Sequence, residues 1–61
     1  MSIKQRRLMA LMTQRELAQA ANISTLSVIR YESGERTPAL DIASKIAKAL
    51  NCTVDELLKD Q

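Results

Sequence analysis

Glycine and proline each occur once in this chain, at Gly34 and Pro38, four positions apart. No other residues interrupt regular structure as strongly, so the main non-helical joint is expected over residues 33–38. Elsewhere the apolar residues recur at helical spacing, and no segment alternates apolar and polar residues with the period of a strand. No internal repeat or low-complexity stretch is present. The chain therefore reads as short helices separated by polar caps, an all-α fold. Tyr31 is the only aromatic residue, which leaves Leu, Ile, Val, Ala and Met to build the core.

The caps divide the chain into five helices. The first is expected over residues 2–10 or 2–11. Thr13 and Glu16 have the Thr-x-x-Glu spacing in which each side chain bonds the other's backbone N–H. That pattern opens a second helix at Gln14, with Leu17, Ala18 and Ala21 on one face. Asn22, which tolerates left-handed backbone, ends it. Ser24 caps a third helix over residues 25–33, closed by Gly34. A fourth, over residues 40–50, carries Ile42, Ala43, Ile46, Ala47 and Leu50 on one stripe. Thr53 with Glu56 repeats the capping pattern and starts a fifth helix running from Val54 to about Lys59.

With 61 residues the chain makes one domain, 1–61. A domain this small buries only about 60% of the surface of its unfolded form, which leaves no room for a deep catalytic cleft. Hydrophobic residues at 46% and charged residues at 26% place it among folded rather than disordered chains. There is no histidine, and Cys52 is the only cysteine. Zinc sites that need clustered Cys and His, internal disulfides and Ser/His or Cys/His nucleophile pairs are thereby excluded. No enzyme, cofactor or metal is expected. No apolar run reaches the ~18 residues of a membrane span, and the first residues lack the apolar region of a signal peptide. The expected compartment is the cytoplasm, because small secreted domains lean on disulfides.

Charge is unevenly placed. Lys4, Arg6, Arg7, Arg15, Arg30 and Arg36 face only Glu16, Glu32 and Glu35 in residues 1–38, whereas the remainder carries a slight acidic excess. Arginine suits phosphate and guanine edges through its planar fork. In the same half, the second and third helices are separated only by Asn22, Ile23 and Ser24. So short a link forces a steep crossing, which closes only over small residues such as Ala18. On a helical wheel Val28, Tyr31 and Glu32 share one side of the third helix, and Leu26, Ile29, Arg30 and Ser33 the other.

Thr13-Gln14, Glu16-Leu17-Ala18, Asn22-Ile23-Ser24, Glu32-Ser33-Gly34 and Pro38 stand in the order and spacing of a known pattern. The segment resembles the helix-turn-helix of the phage Cro and C1 repressor family, also called the Xre-type family. Residues 46–57 resemble that family's closing helices, so the likeness covers nearly the whole chain. It implies a lambda-repressor-like, five-helix DNA-binding domain with the helix-turn-helix at about 14–33. Three features depart from the pattern. Asn22 stands where glycine is usual, Leu11 stands where glycine often ends the first helix, and Leu26 and Ile29 put apolar side chains where polar readers are frequent.

The resemblance implies a third helix lying in the major groove with its first turn toward the base edges. Thr25, Leu26, Ser27 and Arg30 are the base-reading candidates; Leu26 offers only apolar contact, which suits a thymine methyl. Gln14, Arg15, Ser24, Ser33 and Arg36 are the phosphate-binding candidates, with the role of Gln14 taken from the family pattern. Lys4 adds a further positive charge. Glu32 falls on the buried side, where an unpaired carboxylate is costly. In the repressors that this chain resembles, the positions of Arg7 and Glu32 form an internal ion pair, and the same structural salt bridge is expected here. Val54, Leu57 and Leu58 are the expected dimer surface. The inert reading of Cys52 is a small buried hydrophobe.

These expectations describe a sequence-specific regulator of transcription that binds double-stranded DNA, a repressor acting as a homodimer on two half-sites. The alternative keeps the fold and gives it a different role, that of a protein-interaction module such as an antitoxin of the same fold. That alternative gains if Leu8, Met9, Leu26 and Ile29 form one exposed patch.

Overall fold

Residues 3–58 are described by the structure, a computed structural model. They form α1 (Ile3–Met9), α2 (Gln14–Ala21), α3 (Thr25–Ser33), α4 (Leu40–Ala49) and α5 (Val54–Leu58), with no strand among the described residues. The expected first residue of α1, Ser2, and the expected last residue of α5, Lys59, lie outside them. At its other end α1 stops at Met9, short of the expected Ala10 or Leu11. The reason is local: Leu11 adopts left-handed backbone at φ 58° and turns the chain away.

Three of the four joints share one construction. In each, a left-handed residue ends a helix: Leu11, Asn22 at φ 57° and Asn51 at φ 56°. The next residue returns its N–H to a carbonyl five positions back. Met12 donates to Arg7 at 3.1 Å, Ile23 to Ala18 at 2.9 Å and Cys52 to Ala47 at 2.9 Å. This is the double-bonded C-terminal cap that satisfies the orphaned carbonyls of a last turn. An N-cap hydroxyl follows at once. Thr13 Oγ1 accepts from Glu16 N–H, Ser24 Oγ from Ser27 N–H and Thr53 Oγ1 from Glu56 N–H. Glu16 and Glu56 return the bond through Oε1, which accepts from the backbone N–H of Thr13 at 2.8 Å and of Thr53 at 3.0 Å.

The same three joints place the core. The residue before each cap, namely Met12, Ile23 and Cys52, packs half-buried against the core. The residue four positions after each cap, namely Leu17, Val28 and Leu57, is wholly buried. This is the staple arrangement, in which apolar residues on either side of a cap close over it. Ile46 on α4 completes the set of large buried side chains. The helix α2 packs on both α3 and α4, α4 carries α5, and α1 lies against α3. The buried alanines of α2 (Ala18, Ala21) and α4 (Ala43, Ala47) leave room for close approach.

One expectation is corrected here. Leu57 is 0% exposed, so it cannot belong to a dimer surface as expected from the sequence. Burying a leucine contributes about 1.5–3 kcal/mol, and the staple at Thr53 directs this side chain inward. Val54 and Leu58 are half-buried and keep some surface.

The remaining joint, between α3 and α4, contains the two residues on which the sequence pivots. Gly34 is left-handed at φ 82°, and its N–H donates to the Tyr31 carbonyl at 3.3 Å. Arg36 N–H folds back to the Arg30 carbonyl at 3.3 Å. Pro38 is buried, and α4 begins after Ala39 without a side-chain cap.

Candidate nucleic-acid interface

The helix-turn-helix is built by the joint at Asn22, Ile23 and Ser24. Because Val28 is wholly buried against the core and Tyr31 is half-buried on it, the opposite side of α3 is turned outward. Leu26 is 52% exposed and Ile29 42%. Arg30, Thr25 and Ser27 are half-buried, and Ser33 is exposed. The base-reading candidates thus lie on the open side and first turn of one helix. Arg15, Arg36 and Lys4 are exposed, as a phosphate-binding role requires.

Beneath this face lies a charged network that joins three helices. Arg7 Nε donates to Glu32 Oε2 at 2.7 Å, and its terminal Nη2 donates to Glu32 Oε1 at 3.1 Å. The two side chains are only 8% and 5% exposed. Both charges are therefore removed from water, and the bidentate geometry is what makes such burial tolerable. Arg7 Nη1 donates to the Met12 carbonyl at 2.8 Å. Gln14 Nε2 donates to Glu32 Oε1 at 3.0 Å. The hydrogen bond to Glu32 raises the Arg7 pKa above its already high ordinary value; burial opposes the rise and the charge attraction adds to it.

Gln14 is therefore half-buried and engaged, rather than fully open at the surface. No sequence pattern marks its contact with Glu32, because the partners lie 18 residues apart. The hydroxyls on α3 are also engaged. Ser24 Oγ and Ser27 Oγ share one hydrogen bond of 2.9 Å, so one hydroxyl proton of the two is left for an outside acceptor. Ser33 Oγ donates to the Arg30 carbonyl at 3.0 Å and accepts from Glu35 N–H at 3.3 Å. Its one donor is used, and a phosphate contact through that hydroxyl requires this bond to break.

Arg30 Nε meets Glu35 Oε2 at 3.0 Å, a pair that stays 41% and 63% exposed. Sequence reasoning missed Glu35. The signal was present in the loop after Gly34, whose fold-back through Ser33 and Arg36 brings the carboxylate over the last turn of α3. Away from α3, Arg6 approaches Glu56 at 3.8 Å and ties α1 to α5. Among the described residues no cluster of His, Cys, Asp or Glu could hold a metal ion, and no helix is long and apolar enough to cross a membrane.

Residues 3–57 match the family model described as helix-turn-helix. The cryptic phage CTXphi transcriptional repressor RstR of Vibrio cholerae serotype O1 is 44% identical over 45 residues, which cover 74% of this chain and 40% of that protein. The crystal structure of ComR from S. thermophilus, in complex with DNA and its signalling peptide ComS, superposes with a TM-score of 0.85 at 37% identity. That match covers 97% of this chain and 20% of ComR. The chain thus spans less than half the length of either protein. A family match over residues 3–57, on a scaffold with two capped helices meeting at Asn22 to Ser24, means that the chain belongs to the helix-turn-helix family of the Cro/C1 type.

Proposed function

We propose that this chain binds double-stranded DNA through the exposed face of α3 and regulates transcription, as a repressor. The observation that carries the reading is that face itself. Apolar Leu26 and Ile29 stand open to solvent beside Arg30, on a helix whose other side is locked into the core. The N-terminus of α3 adds unpaired N–H groups and a positive dipole end, which suit a polyanion. Thr25, Leu26, Ser27 and Arg30 then read bases, while Arg15, Arg36 and Gln14 hold phosphates. Its action is binding rather than catalysis, and its place is with the DNA in the cytoplasm. The DNA complex of ComR and the repressor role of RstR support this reading.

The proposed form on DNA is a homodimer on two half-sites, since paired recognition helices about 34 Å apart meet successive turns of one groove. Val54 and Leu58 supply the apolar surface for that pairing. Selection of sites from a random duplex pool tests the function. One sequence should be enriched, and its affinity should fall steeply as salt rises, with a log–log slope of about −0.9 per phosphate neutralised. No enrichment, or a flat plot, overturns the reading.

A second reading, the interaction module, draws on the exposure of Leu8 at 52%, Met9 at 70%, Leu26 at 52% and Ile29 at 42%. If it holds, Met9→Lys abolishes capture of a partner protein while leaving duplex binding intact.

A further inference from the structure

We infer that Glu32, beyond pairing with Arg7, is a positioning residue for the DNA site: it fixes the Gln14 side-chain amide so that the amide's second N–H serves one backbone phosphate. This rests on the DNA-binding reading above.

The argument starts from what Glu32 can accept. A carboxylate has acceptors only. Its Oε2 takes Arg7 Nε, and its Oε1 takes both Arg7 Nη2 and Gln14 Nε2. Arg7 holds the carboxylate at two points, in a site where both side chains are almost wholly shielded, so each oxygen is committed to accepting. The atom of Gln14 facing Glu32 must then be nitrogen, since a flipped amide would set its carbonyl oxygen against a carboxylate oxygen. A glutamine on an open helix end samples both amide orientations and several rotamers. Gln14 is denied them.

The amide nitrogen carries two protons. One is used on Glu32 and the other is left for an external acceptor. A phosphate oxygen, which only accepts, matches that proton and cannot use the carbonyl. The same network sets where the amide stands. Arg7 Nη1 binds the Met12 carbonyl, one residue before the Thr13 cap, so the first turn of α2 is bolted to α1 and α3 together. Buried ion pairs contribute little net stability compared with apolar residues of similar size. What this one supplies is a donor held in one orientation before DNA arrives, which removes the ordering cost at binding.

Two measurements test it. The first is side-chain amide NMR of the wild-type chain, with exposed Gln19 as the internal reference. One Nε2 proton of Gln14 should exchange more slowly than those of Gln19, and the other should shift when a duplex recovered by selection is added. Equal exchange at Gln14 and Gln19 overturns the proposal. The second replaces each phosphate of that duplex in turn by neutral methylphosphonate. Wild type should show one position whose neutralisation weakens binding about ten-fold, as for a lost charge-assisted hydrogen bond. Gln14→Ala and the double variant Arg7→Met/Glu32→Leu should lose that sensitivity while keeping the penalties elsewhere. An unchanged penalty at that position in the double variant overturns the positioning role, and if that variant fails to fold, the wild-type NMR result decides. Salt-sensitive binding with an unaltered profile removes only this inference, whereas no duplex binding at all removes the DNA reading with it.

Discussion

Leu11 holds left-handed backbone at φ 58° with 91% of its surface exposed. A leucine there crowds its Cβ against the following carbonyl, at a cost of roughly 1–2 kcal/mol, and it recovers almost nothing by burial. Asn22 and Asn51 fill the equivalent place at the other two joints with a residue that accepts this backbone more readily. Leu11→Gly should therefore stabilise the fold, by about 0.5–1 kcal/mol once the greater freedom of glycine in the unfolded chain is counted. Urea denaturation reads the gain directly. A lower midpoint would mean that the leucine side chain has a partner worth more than the strain.

At the scale of elements, the capped joint explains several residues at once. Cys52 is where an apolar residue is required between a left-handed C-terminal cap and an N-cap, and it stands with Met12 and Ile23 in that role. Leu57 stands with Leu17 and Val28 as the residue that closes under the cap. The two leucines of α5 should thus behave differently. Leu57→Ala should cost about 2–5 kcal/mol, the range for deleting a buried leucine side chain, and thermal melts should show most of the fold's stability gone. Leu58→Glu should leave the melt nearly unchanged and weaken only the self-association proposed above, which sedimentation reads. If Leu57→Ala melted normally, the inward packing of α5 would be wrong.

Across the whole molecule, α1, α2 and α3 are joined by a single charged network rather than by apolar packing alone. A chain of this length has about 3–9 kcal/mol of stability in total. Breaking a buried pair by removing one partner costs roughly 3–5 kcal/mol, because the other charge is left unpaired. Arg7→Ala or Glu32→Ala alone should unfold much of the population at room temperature, whereas Arg7→Met/Glu32→Leu should retain most of its stability. Strictly additive losses in the cycle would refute the coupling. The pH dependence follows from the raised pKa of Arg7. A raised pKa gives stability that is complete below the unfolded value and lost only as pH climbs through the folded one. Since arginine already titrates in strong alkali, its share should stay constant across the physiological range, and a melt series over neutral pH checks this.

Helix identity and joint geometry were legible from residue order because each depends on groups within about five positions of one another. A threonine with a glutamate three residues on, or an asparagine ahead of an apolar residue and a serine, specifies its own local bonds. The pairing of Arg7 with Glu32 was also within reach, but only through likeness to a family. What order alone left open were contacts made by folding: Gln14 turned toward Glu32, and Leu57 drawn under its cap rather than outward. A hydrogen bond across 18 residues, or the choice between inside and outside for one leucine of a five-residue helix, depends on where neighbouring helices lie. Periodicity sets which residues share a face; only packing decides which face meets the core and which is left for a partner.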